Sequence, residues 1–140
     1  MSTKGVTDLS TLIATMEPFL DPEEYVFCSV SDEQEFHAGG FQAFATCREP
    51  EGLSVVLRRL DAEQARLDFQ GNFQRIGLTV HSSLDAVGLT ASTATALAKA
   101  GISANVIAGR YHDHFFVPKD RAEEALEVLR QLSRTAQARD

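Results

Sequence analysis

Residues 109–118, GRYHDHFFVP, set two histidines and an aspartate within three positions, and His81 lies upstream in LTVHSSL. Imidazoles beside a carboxylate suit two kinds of chemistry. They can ligate Zn²⁺ through neutral ring nitrogens and an oxygen, or they can move protons near neutral pH. His81, His112, His114 and Asp113 are therefore the candidate metal ligands. A lone His-x-His is a weak pattern, and His81, Tyr111 and His112 equally suit polar strand ends bonded across the sheet or to a partner subunit. Ser82 and Ser83 follow His81 without the glycines that surround a serine nucleophile, so no catalytic residue is assigned.

Those side chains can meet only if strands bring them together. Residues 73–81 alternate: Ile76, Leu78 and Val80 share one face, and Arg75, Thr79 and His81 share the other. Residues 114–118, HFFVP, form a strand that Pro118 stops, and His112, His114 and Phe116 share one face of it. Between them lie a helix over residues 89–100, ended by Gly101 at its C′ position, and a strand over ISANVIAG. KDRAEEALEVLRQL is the clearest helix: Ala122, Ala125, Leu126, Leu129 and Leu132 make its apolar face, and Asp120 with Glu123 suggests a capping box. The tail TAQARD is expected to fray.

The earlier part of the chain is less regular. Leu9, Leu12, Ile13 and Met16 give a short helix, capped by Thr7 or Asp8 and closed by Pro18. EYVFCSV, FQAFATC and LSVVL read as strands, the last two as a hairpin around Pro50 and Gly52. SDEQEFHAGG is a loop or a degenerate helical turn, and DAEQARL a short helix. Two halves emerge with similar order, residues 1–70 and 71–135, followed by a tail over 136–140.

Bulk composition excludes some partners. Twenty acidic residues against thirteen basic ones give a net charge of −7, with cations scattered. Phosphate backbones need clustered cations, so nucleic acid is not an expected partner. No apolar run reaches the roughly 20 residues a membrane helix needs. The N-terminus lacks the apolar stretch of a signal peptide, so a cytoplasmic protein is expected. Cys28 and Cys47 both sit in apolar strand-like runs and are expected to be buried thiols. Phe41, Phe44, Phe69 and Phe73 read as core or interface rather than a base-stacking platform.

Residues 78–126, LTVHSSLDAVGLTASTATALAKAGISANVIAGRYHDHFFVPKDRAEEAL, resemble an ACT domain: a strand, a loop with Asp85 and Gly88, an alanine-rich helix, then Ala100-Gly101-Ile102 leading into the next strand. The first half resembles one more weakly, through EYVFCSV and EGLSVVL. The resemblance implies an α+β protein of two interlocked ACT-like repeats, each a ferredoxin-like βαββαβ sandwich with an antiparallel sheet. No fourth strand follows the last helix, so the halves must complete each other or a partner subunit must do so.

The resemblance also implies a non-catalytic regulatory module that binds an amino acid, needs no cofactor, forms a homodimer and acts on an effector protein. A glycine just before a helix leaves backbone N–H groups free to receive a carboxylate. Ser82, Ser83 and Asp85 belong to the segment before that helix, and matching ACT positions onto this chain implies Val87, Gly88 and Leu89 in the loop and Asn105 and Val106 on the next strand as ligand-binding residues. Asp85, Asn105 or a backbone carbonyl could accept the ammonium.

Overall fold

The computed structural model describes residues 8–138. Its elements are α1 (Leu9–Ala14), β1 (Pro18–Val30), α2 (Glu33–Ala38), β2 (Ala45–Glu49), β3 (Gly52–Arg58), α3 (Arg59–Gln64), β4 (Gln70–Leu78), α4 (Leu89–Lys99), β5 (Asn105–Ala108), β6 (Asp113–Pro118) and α5 (Ala122–Ala138), the last entered through a 3-10 turn over Lys119–Arg121. Two compact units divide the described residues: a larger one of residues 8–22 with 74–138, and a smaller one of residues 23–73. Long strands β1 and β4 each contribute one end to each unit.

In the larger unit the strand order is β1-β4-β6-β5. The start of β1 supplies the fourth strand that the sequence leaves open after the last helix. Thr79 donates its N–H to Met16 O at 2.9 Å, and Gln74 Nε2 donates to Asp21 O at 3.2 Å, so the two segments run side by side in opposite directions. The chain completes the repeat with its own early residues. Across the other side, Asn105 pairs with Phe116 and Ala108 with Asp113 in the β5–β6 hairpin.

Alternation decides which side is covered. Ile76, Leu78, Phe115 and Val117 meet Leu12, Met16, Leu89, Leu97, Leu126 and Leu129 in one core. Helix α1 enters that core through Leu12, with Leu9 and Ile13 packed against it, and Asp8 caps its start: the carboxylate accepts from Thr11 N–H at 3.0 Å and from Thr11 Oγ1 at 2.6 Å. Helix α4 ends as its sequence predicts. Gly101 N–H bonds Ala98 O and Ile102 N–H bonds Leu97 O, the paired bonds of a Schellman motif. Arg121 then donates to Ala100 O and Gly101 O, setting a cation on the negative end of α4.

Two expectations about α5 change. Pro118 stands before the 3-10 turn and Asp120 lies within it, so the Asp120–Glu123 capping box does not form. The helix continues through Ala138, where fraying was expected. Gln137 Nε2 donates to Ala14 O at 2.7 Å and Ser133 Oγ donates to the same oxygen at 3.1 Å, which anchors this end.

The smaller unit has the order β2-β3-β1-β4. Val26, Cys28 and Val30 pair with Leu57, Val55 and Leu53, and this face packs with Phe36 and Ala62 from the two short helices. On the other face, the Phe27 and Phe73 rings meet edge-on at 5.1 Å. SDEQEFHAGG proves to hold α2, because Asp32 accepts from Glu35 N–H at 2.9 Å and caps it. One cysteine expectation fails. Cys28 is buried, and burial pushes its thiol pKa up, but Cys47 is exposed. It lies on β2, a sheet edge with four of its five residues open to solvent.

Candidate ligand site

The loop after β4 begins with a turn. Asp85 N–H donates to Ser83 Oγ at 3.1 Å, and Ala86 N–H to Ser83 O at 3.0 Å. The chain then turns into α4 at Gly88, whose φ is +102°. A side chain there would be strained, and its Cβ would lie 3.0 Å from Leu9 Cδ2. Gly88 has no side chain to cap the helix, and no side-chain cap bond replaces one. The first-turn amides of α4 are thus left for another acceptor.

A cleft of about 150 Å³ opens at this helix start, with Ser82, Ser83, Gly88 and Leu89 among its walls and Ala108, Gly109 and Asp113 facing them. Four of the eight predicted binding residues line it: Ser82, Ser83, Gly88 and Leu89. Asp85 and Val87 do not. The turn directs Asp85 to solvent and leaves Val87 82% exposed. Asn105 and Val106 also lie outside the cleft; Asn105 is exposed and Val106 packs against the core. They sit at the far end of β5 from Ala108, which is the residue of that strand that reaches the cleft.

Asp113 belongs to this cleft, whereas its place in the sequence suggests only a possible metal ligand. Its side chain shares the helix-facing side of β6 with Phe115 and Val117, two positions apart each. It is 7% exposed, and Ser82 Oγ donates to its Oδ2 at 3.3 Å. Burial raises its pKa above the usual carboxylate value, against the lowering effects of the Ser82 bond and the charge of His112. The signal was present in the alternation of HDHFFV: an acid on the same face as two core residues.

The histidines do not converge. His114 points to the face opposite the helices, where Arg75 Nη1 donates to its Nδ1 at 3.0 Å. His112 Nδ1 donates to Val80 O at 3.3 Å, and the His81 ring stands 4.9 Å from the Tyr111 ring. Asp113 lies on the other side of the sheet from His114, as alternation requires. Among the described residues no group of three or more His, Cys, Asp or Glu side chains is placed to hold a metal ion.

His114 carries a pH consequence. Burial, then the charges of Arg75 and His112, lowers its pKa from 6.5 to about 4. Between these values the unfolded chain binds a proton that the folded chain refuses, so stability falls as pH drops from 6.5 towards 4. With the ring partly open to solvent, the loss should be on the order of 1–2 kcal/mol. Asp113, with its raised pKa, contributes in the opposite sense, gaining stability as pH falls through its folded value. Comparing wild type with His114→Gln cancels that contribution. The variant should show a flatter decline of urea midpoint across this window, and equal slopes would refute the assignment.

Two family models, both described as ACT domain, match residues 4–74 and residues 75–131. No curated protein matches. Among solved structures, a Vibrio cholerae protein of unknown function, described as a possible transport protein, is 49% identical; the match covers 89% of this chain and 95% of that one, with a TM-score of 0.80. The regulatory subunit of aspartate kinase from Thermus thermophilus, in a ligand-free form, is 12% identical over 85% of this chain and 97% of that one, with a TM-score of 0.69. Aspartokinase III of E. coli, in complex with aspartate and ADP, is 10% identical, with 94% of this chain but 34% of that one covered and a TM-score of 0.64. At these two identities the likeness is one of fold.

Proposed function

Because this chain belongs to the ACT-domain family, whose members are regulatory rather than catalytic modules, we propose that it senses a small-molecule effector, an amino acid, in the cleft between the end of β4 and the start of α4. It does so as a cytoplasmic homodimer and passes the signal to another protein. The Thermus protein of similar fold is by name the regulatory subunit of an enzyme, which supports the last step. No helix among the described residues is long and apolar enough to cross a membrane.

The observation that carries the reading is the strand-to-helix turn at Gly88. Its left-handed backbone and missing cap leave α4's first amides beside an open cleft rather than against a protein side chain. A carboxylate is the natural guest at such a helix start. Thermal-shift measurement with each of the twenty amino acids at millimolar concentration tests it. Ligand at about 100 times its Kd adds near 2.7 kcal/mol, which for a domain of this size raises Tm by several degrees. Twenty flat responses would sink the proposal. Light scattering tests the dimer separately.

A further inference from the structure

We propose that this cleft selects the smallest amino acids, glycine, alanine and serine, and that Asp113 on β6 takes their ammonium group. The inference rests on the amino-acid reading above and narrows it. Asp113 is more than nine-tenths buried, and among the described residues its hydrogen bonding engages only Oδ2, through Ser82. No lysine or arginine lines the cleft. A buried carboxyl that faces open space with no lysine or arginine beside it is costly to ionise, and the upward push on its pKa, which the Ser82 bond and the charge of His112 only partly offset, accompanies that burial. A ligand ammonium in the cleft would add a full positive charge beside it. The start of α4 lies on the same cleft and suits the carboxylate of the same molecule. The two protein groups are thus opposite in sign, as a zwitterion requires.

Size follows from the walls. Ser82, Ser83, Ala86, Gly88, Ala108 and Gly109 are all small, yet the space between them is only about 150 Å³. An apolar cavity of roughly this volume accepts benzene, about six heavy atoms. Glycine, alanine and serine have about five to seven, whereas sites for drug-sized ligands start near 300 Å³. Leucine or phenylalanine would have to leave its side chain outside.

Calorimetric titration of the full chain with glycine, alanine, serine, leucine, phenylalanine and acetate tests both parts. The three small amino acids should bind at least tenfold more tightly than leucine, phenylalanine or acetate. Asp113→Asn should weaken glycine binding at least tenfold, and Ala108→Leu, which fills the cleft from the exposed side of β5, should abolish it. In the wild-type protein the Asp113 carboxyl ¹³C resonance should move on glycine addition, a readout that needs no substitution. Leucine within threefold of glycine overturns the size claim, and an unmoved carboxyl resonance or an unchanged Asp113→Asn titration overturns the ammonium claim; in both cases amino-acid sensing survives. No binding by any amino acid overturns this inference together with the reading it rests on.

Discussion

A chain that begins at residue 23 loses the fold of the larger unit. Residues 8–22 bring α1 and the first part of β1, and with them Leu12 and Met16, both 0% exposed in the core built around Leu97, Phe115 and Leu129. Emptying one such buried site costs about 2–5 kcal/mol. Removing two, along with a strand's hydrogen bonds to Thr79 and Gln74, approaches the whole stability of a domain, about 5–15 kcal/mol. The shortened chain should lack the dispersed methyl resonances of Leu97 and Leu129. Retention of the wild-type Tm would show that the early segment is an ornament to the fold rather than its fourth strand.

Arg75→Met should destabilise the larger unit by about 3 kcal/mol. Arg75 and Asp21 are each 13% exposed, and the guanidinium donates to Asp21 Oδ2 through both Nε and Nη2, at 3.2 and 3.0 Å. It also lies over the Phe19 ring at 5.1 Å, in space that Gly77 keeps open; a Cβ there would fall 2.6 Å from that ring and 2.7 Å from Arg75 Nη1. Removing one partner of a buried pair strands the other charge, typically at about 3–5 kcal/mol, and the partial exposure argues for the lower end. Adding Asp21→Leu to the variant should recover most of the loss, since two apolar residues of suitable volume can replace a buried pair. Urea denaturation of the three proteins measures it. A single variant as stable as wild type would mean the pair is screened by solvent.

The sequence made the larger unit's second half legible because its periodicities are strong. Alternation in residues 73–81 placed Ile76 and Leu78 inward and Arg75 outward, and the structure agrees. Gly101 marked the end of α4. Weaker local signals misled. FQAFATC suggested a strand from Phe41, but Phe41 and Ala43 pack against the smaller core from a loop, and β2 starts only at Ala45. Pattern along one segment cannot show which distant segment covers it. The fourth strand therefore had no visible source, although PFLDP at residues 18–22 was in plain view. The site divided along the same line. Ser82, Ser83, Gly88 and Leu89 are contiguous and were found together. Asp113 reaches the cleft through the pairing of β4 with β6 and was grouped instead with its histidine neighbours.

The early segment also sets the order of events during synthesis. Ala14 O receives its bonds from Ser133 and Gln137, 119 and 123 residues downstream. Helix α1 is made well before α5, so Ala14 O waits for those two partners while β4 and α4, which share its core, follow in between. Residues 23–73 contain their own hydrophobic cluster and can condense in the meantime. Until β4, α4 and α5 follow, Leu12 and Met16 are exposed apolar residues on a nascent chain, where chaperones act, and closing so long a loop makes docking of α1 a slow step.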